Sequence, residues 1–348
     1  MKNTKNLIKK LPIETFVLGI PCLFFLLLFY LYRIFHPEVF AHITPTSPVR
    51  FVVGFGSGTF EWLLVFVFMY IGAKGIKYLY LRMRGYSFDN NKIISYVKKG
   101  LYCLALLTLV GTTTKFIINT IFITAKPSHI ITVSDSLLKI DQFFLSTFPA
   151  HYLYEILSGG ILEKLIVYSY TYLSVILAVI FFVVLLKKRY LFRLFFLSFI
   201  IAFSITSPLW LFFPALSPQE MYRTNVLDRQ IPQDIVEEDR ELTNTMSPFI
   251  KSYLYKLDRI WISEDKSFYA VSSFPSLHVA WGIIGTVIGI ALWPTLAWVL
   301  VPWCIFNFIG TFYLLQHYVV DSFAGIIVAV ISLAISYLIL RFEKKLRS

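Results

Sequence analysis

Charge is scarce in this 348-residue chain: 15% of its residues are Asp, Glu, Lys or Arg, against 57% apolar and 18% aromatic. A soluble domain of this length cannot hide so much apolar surface, so the composition excludes a water-exposed globular enzyme and points to a polytopic membrane protein. Cysteine is nearly absent. Cys22, Cys103 and Cys304 are the only three, and each lies inside an apolar run. That placement suits small core residues and argues against a disulfide framework. Neither zinc-ligand spacing nor a glycine-rich phosphate loop occurs, so no metal and no cofactor is expected. Acidic residues are the minority charge, 20 against 32 Lys and Arg, for a net charge of +12.

Eight runs approach or exceed the roughly 20 residues that a helix needs to span a bilayer. They cover about 15–34, 56–80, 101–124, 162–186, 191–213, 274–293, 295–316 and 319–340. The fold class expected is therefore all-α: a polytopic membrane helix bundle of about eight transmembrane helices. The first run follows Lys2, Lys5, Lys9 and Lys10, as a signal peptide would. It is too long for one and no small-residue cleavage site follows, so it is expected to remain as an anchor.

Basic clusters set the orientation. They fall at the N-terminus, between runs two and three (Lys74 to Lys99), between runs four and five (Lys187, Lys188, Arg189, Arg193) and in the tail (Arg341, Lys344, Lys345, Arg347). Together they hold more than half of the basic residues, all in short segments on one side of an eight-span chain. By the positive-inside rule that side is cytoplasmic, with both termini inside. Juxtamembrane placement also argues against nucleic acid as a partner. The other side receives the long connections, about 125–161 and 214–273. The first contains the amphipathic stretch Ser136–Leu145, suited to an interface. The second holds ten acidic and seven basic residues, too polar for lipid.

Two strings carry the chemistry. Phe274-Pro-Ser-Leu-His278 opens run six, and His317-Tyr-Val-Val-Asp321 joins run seven to run eight. An antiparallel hairpin of runs six and seven returns both strings to the non-cytoplasmic side. Ionisable groups at membrane depth are costly and usually functional. Asp321 follows His317 by four residues at a helix start, so both can share one face, where a carboxylate holds an imidazole tautomer. Pro275 and Ser276 read as a helix start, whose free N–H groups attract anions such as phosphate. Two histidines and a carboxylate are also a conceivable metal-ligand set, and that alternative stays open.

The strings resemble the second and third signatures of the type 2 phosphatidic-acid phosphatase superfamily. Pro275-Ser-Leu-His278 matches Pro-Ser-Gly-His with Leu277 in place of glycine, and His317 with Asp321 matches the closing His and Asp of the third signature. The Phe-Pro-Ser-Leu-His form followed by His-Tyr-x-x-Asp is more similar to the inositol-phosphorylceramide-synthase-like branch. The resemblance spans roughly 101–340, six of the eight spans. It implies a two-helix membrane extension at 1–97 and a six-helix phosphatase or phosphotransferase core at 98–348, with an outer loop at 214–273. It further implies that His317 attacks phosphorus to form a phosphohistidine, that Asp321 orients it, and that His278 serves as acid and then base, without a metal. Ser276 and Pro275 would line the phosphate site. The substrate implied is a phospholipid or a polyprenyl or sphingolipid phosphate. The setting implied is a bacterial inner membrane, with the active site on the periplasmic face.

The departures concern countercharge. The Ser-Arg pair expected seven and six residues before the nucleophile is Gly310-Thr311, and the Lys and Arg of the first signature are not recognisable near Phe213-Pro-Ala-Leu-Ser-Pro218. Arginine suits phosphate because its planar fork binds two oxygens at once. Candidate replacements are Arg223, Lys266 and Lys115. Loss of these cations also leaves open a protein that binds or moves lipid without chemistry.

Overall fold

The computed structural model describes residues 126–145, 149–223, 233–262 and 274–347, with scattered positions between 34 and 84. Eleven helices follow one another in the continuous part, and no strand occurs among the described residues. They are α1 (Pro127–Leu145), α2 (Pro149–Leu157), α3 (Ile161–Thr171), α4 (Leu173–Lys187), α5 (Arg189–Phe212) and α6 (Pro218–Arg223). After these come α7 (Gln233–Thr245), α8 (Pro248–Ile262), α9 (Leu277–Leu292), α10 (Ala297–Tyr313) and α11 (Val319–Arg347). A 3-10 turn, Pro294–Leu296, leads into α10.

The described residues are all-helical in architecture, and three of their helical stretches are long and apolar enough to cross a membrane: Arg189–Phe212, Pro294–Tyr313 and Val319–Leu346. α3 and α4 pass the same test only as a bent pair, which raises the count to four at most. α9 is apolar but has 16 residues. The runs expected at 15–34, 56–80 and 101–124 lie outside the described residues, as does nearly all of the 1–97 extension. Elsewhere the helices follow the apolar runs with one break. The run at 162–186 is interrupted at Tyr172, whose N–H reaches the Tyr168 carbonyl in a C-cap. There Thr171 turns its hydroxyl back to the Val167 carbonyl, a bond that competes with a continuing helix. The outer segment expected as a loop at 214–273 holds α6, α7 and α8.

The chain forms two compact units. One comprises 1–116, 174–193 and 343–348; in its described part the half-buried Arg193 guanidinium pairs with the buried Glu343 carboxylate. The other comprises 117–173 and 194–342 and carries both motifs. Within it α10 packs along α3 and α9. A core of Leu138, Tyr154, Ile166, Leu242, Ile250 and Tyr318 ties the helices of the outer segment to α1, α2, α3 and the turn before α11.

A buried carboxylate joins these pieces. Glu163 of α3 accepts from the Ser247 hydroxyl at 2.9 and 2.8 Å, from the Tyr313 phenol at 2.8 Å and from the Gly159 N–H at 3.1 Å. Ser247 in turn accepts from the Ile250 N–H and so starts α8. The Tyr154 hydroxyl donates to the Tyr313 carbonyl, holding the same end of α10. Deleting one member of such a network leaves its partners buried without bonds, which costs more than the bond itself. Glu163→Ala is expected to destabilise the protein by about 3 kcal/mol. Thermal unfolding in detergent checks this, and an unchanged apparent Tm would show that the network is dispensable.

Candidate functional site

Each motif is shaped by its local sequence before the two meet. The Phe274–Pro275 peptide bond is cis. Ser276 follows in an extended conformation as the N-cap of α9, its Oγ accepting from the Val279 N–H at 3.3 Å. A capping serine before a run of helix formers starts a helix there. His278 is thereby the second residue of α9. At the other motif α10 ends at Tyr313, and a short turn leads to His317. Leu315 in that turn is buried at φ +56°, a left-handed conformation that costs a non-glycine residue energy and that the surroundings must enforce. They do so by bonding: the Thr311 carbonyl accepts from both Gln316 and His317 N–H at 3.0 Å, and the Leu315 carbonyl accepts from Gln219 N–H at 2.9 Å. At the start of α11 the Asp321 carboxylate reaches back to accept from the Tyr318 N–H at 3.0 Å.

The two motifs meet through backbone. The Ser276 N–H donates to the Asp321 carbonyl at 3.0 Å. One turn further along α11, Gly325 lies under the same segment, and a Cβ there would stand 2.4 Å from the Ser276 carbonyl oxygen. Side chains gather around this crossing. His317 Nδ1 lies 3.7 Å from Asp321 Oδ2, with the carboxylate fully buried and the imidazole slightly exposed. That separation suits an ion pair once the imidazole is protonated and is too long for a hydrogen bond. His278 and His317 are near enough to sense each other's charge. His278 Nε2 sits 3.3 Å from the Tyr170 carbonyl, and its ring stacks on the Tyr170 ring at 4.1 Å between centroids and 16° between planes. A carbonyl only accepts, so Nε2 carries a proton, and in a neutral ring the lone pair is on Nδ1. The Pro275 carbonyl accepts from the Trp210 indole N–H at 3.3 Å, anchoring this turn to α5.

Of the residues singled out by sequence, the structure brings together His278, His317, Asp321, Ser276 and Pro275. Ser276 is fully buried, and its hydroxyl is engaged with its own helix. Arg223 is the last residue of α6, its side chain outside what is described; Lys115 and Lys266 lie outside the described residues altogether. Among the described residues no group of three His, Cys, Asp or Glu is placed to hold a metal ion.

Other residues were not foreseen. Tyr170, one tyrosine among 21, carries no pattern that marks it. Gly310 and Thr311 stand where a Ser-Arg pair was expected, and their surroundings account for both. A Cβ at 310 would lie 3.0 Å from Tyr170 Cβ and 3.2 Å from the Ile166 carbonyl, so glycine lets α3 approach and set Tyr170 against His278. Thr311 is fully buried, and its hydroxyl bonds the Phe308 carbonyl and Ser322 Oγ at 2.6 and 2.7 Å.

Comparison with known proteins adds the family. The model for the PAP2 superfamily matches residues 136–335, which includes every residue of the crossing. No curated protein and no solved structure matches.

Gly325 offers a test of the crossing. Alanine gains about 1 kcal/mol over glycine in a helix interior. Here its methyl would push against backbone, and overpacking costs typically 1–3 kcal/mol. Gly325→Ala is therefore expected to lower the apparent Tm in detergent; a rise would mean that helix propensity outweighs the contact.

Proposed function

The chain belongs to the PAP2 superfamily, and we propose that it is an integral membrane enzyme that cleaves or transfers the phosphate head group of a lipid through a phosphohistidine. Membership suggests phosphatase or phosphotransferase activity on phosphate esters, and the membrane-length helices suggest contact with lipid. The observation that carries the finer reading is the crossing itself, where one backbone bond holds an imidazole–carboxylate pair beside a second imidazole.

In the first step His317 attacks phosphorus through Nε2, since Nδ1 faces Asp321. The N–P bond forms as the P–O bond to the leaving group breaks, and protonated His278 gives a proton to the departing oxygen. Asp321 stabilises the positive charge that develops on the attacking ring. In the second step His278 takes a proton from water or an alcohol, whose oxygen displaces His317 from phosphorus. Nδ1 of His278 is the atom that exchanges the proton, because the Tyr170 carbonyl occupies Nε2. The Leu277 and His278 N–H groups at the start of α9 supply donors for phosphate oxygens. Arg223, Lys115 and Lys266 are the cations proposed for its remaining charge.

The finer assignments go with this reading. The substrate is a phospholipid or a polyprenyl or sphingolipid phosphate, and the nearest branch is the inositol-phosphorylceramide-synthase-like one. The enzyme sits in a bacterial inner membrane with both termini cytoplasmic and the site on the periplasmic face. Residues 1–97 add two helices to a six-helix core. A lipid-binding protein without chemistry is the second reading, favoured by one observation: Thr311, buried and bonded, stands where the signature has arginine.

Purified protein in detergent, given phosphatidic acid with and without inositol, separates these outcomes. Free phosphate marks a phosphatase, phosphoinositol a transferase, and neither product favours the binding protein. His317→Ala is expected to lower turnover by roughly a thousandfold or more; retention of activity would overturn the mechanism. His278→Ala is expected to slow both steps.

A further inference from the structure

α1 carries an aspartate where its packing calls for an apolar residue. Ile130, Ser134, Leu137, Leu138 and Asp141 form its buried stripe, while Ile140, Phe143 and Phe144 are exposed. A carboxylate at 2% exposure is costly unless hydrogen bonds compensate it. The partners of Asp141 are the first two peptide groups of α11. Oδ2 accepts from the Val319 N–H at 2.6 Å and Oδ1 from the Val320 N–H at 3.0 Å. Asp321 meanwhile takes the Tyr318 N–H. A helix start leaves its first N–H groups without partners of its own. Here three consecutive ones are taken by two carboxylates from two different helices.

We infer that Asp141 is a positioning residue for the His317–Asp321 pair. It grips the Val319 and Val320 N–H groups, which lie between His317 and Asp321 in the chain, so the first turn of α11 cannot rotate without breaking two charge-assisted bonds. Rotation of that turn is what would carry the Asp321 carboxylate away from His317 Nδ1. Ser134, two helical turns earlier on the same stripe, accepts from the Leu216 N–H at 2.9 Å and holds the segment after α5. Gln219, just beyond, donates through its N–H to the Leu315 carbonyl in the turn before His317. α1 thus braces the histidine turn at two points. The inference rests on the phosphohistidine reading and adds to it a residue that neither motif contains.

The Asp141 charge carries a cost in the folded state. Burial pushes the Asp141 carboxyl up to about 6, the N–H groups of Val319 and Val320 pull it down by less, and the neighbouring Asp321 carboxylate adds to the rise. A carboxyl raised in the folded state binds its proton more tightly there than in the unfolded chain. The stability that proton contributes is full below the unfolded value of 3.8 and is lost as pH rises through about 6. At neutral pH the bare charge costs stability, which the Val319 and Val320 N–H bonds offset in part.

The test compares wild type, Asp141→Asn and His317→Ala in detergent micelles, with phosphatidic acid as the probe, at a pH of about 7.5, well above the Asp141 transition. Phosphate release gives kcat and KM, and thermal unfolding gives the apparent Tm. Asparagine has the same shape, no charge, and one acceptor oxygen for the two N–H groups. Expected are a kcat lower on the order of ten- to a hundredfold and a KM within about twofold. A kcat within about twofold of wild type overturns the inference. So does a loss of kcat no greater than the loss of folded protein read from the unfolding curve, or a variant that does not fold. Wild type no faster than His317→Ala removes the phosphohistidine reading and this inference with it. Full His317-dependent activity in Asp141→Asn removes this inference alone.

Discussion

The site depends on one backbone crossing, where the Ser276 N–H meets the Asp321 carbonyl and Gly325 lies against the Ser276 oxygen. Side chains swing on rotatable bonds, but a backbone bond between two helix starts fixes the relation of everything those helices carry. α9 brings His278 and α11 brings Asp321, with His317 just ahead of it. A Cβ at 325 would stand 2.4 Å from the Ser276 carbonyl oxygen, so glycine there lets the starts of α9 and α11 lie this close.

Around the crossing, donors and acceptors are allocated with little left over. The start of α11 gives its N–H groups to carboxylates, Asp321 from within and Asp141 from α1. The first turn of α9 is capped by Ser276, whose Oγ takes the Val279 N–H. Positive helix ends and carboxylates attract, which offsets part of the cost of burying two acids close together. Thr311, where a cation was anticipated, instead secures the turn before His317 by its carbonyl and Ser322 by its hydroxyl. The same stretch of chain is thus committed to shaping the turn.

The helical class and the membrane setting were legible because they are properties of composition and run length, which need no partner. The motif pair was legible because a capping serine and an i, i+4 His–Asp spacing are local devices. The break at Tyr172 was not, since an uninterrupted apolar run hides a threonine that bonds backward. The helices within 214–273 were obscured by charge. Their apolar residues are spread among acids and bases, and only packing on Tyr154, Ile166 and Tyr318 shows which face turns inward. Glu163 and Asp141 were invisible for a related reason. A single acid among apolar residues looks the same whether it snorkels to water or closes a buried network.

By itself the sequence determined a helical membrane class and two histidine-bearing strings at helix starts, because residue type and period are written along one dimension. Tertiary structure alone decided which groups meet those strings: Tyr170 behind His278, Asp141 on the peptides after His317, and Gly325 beneath Ser276. Those contacts join residues more than a hundred positions apart for Tyr170 and Asp141, and no local pattern records a partner that only folding brings near.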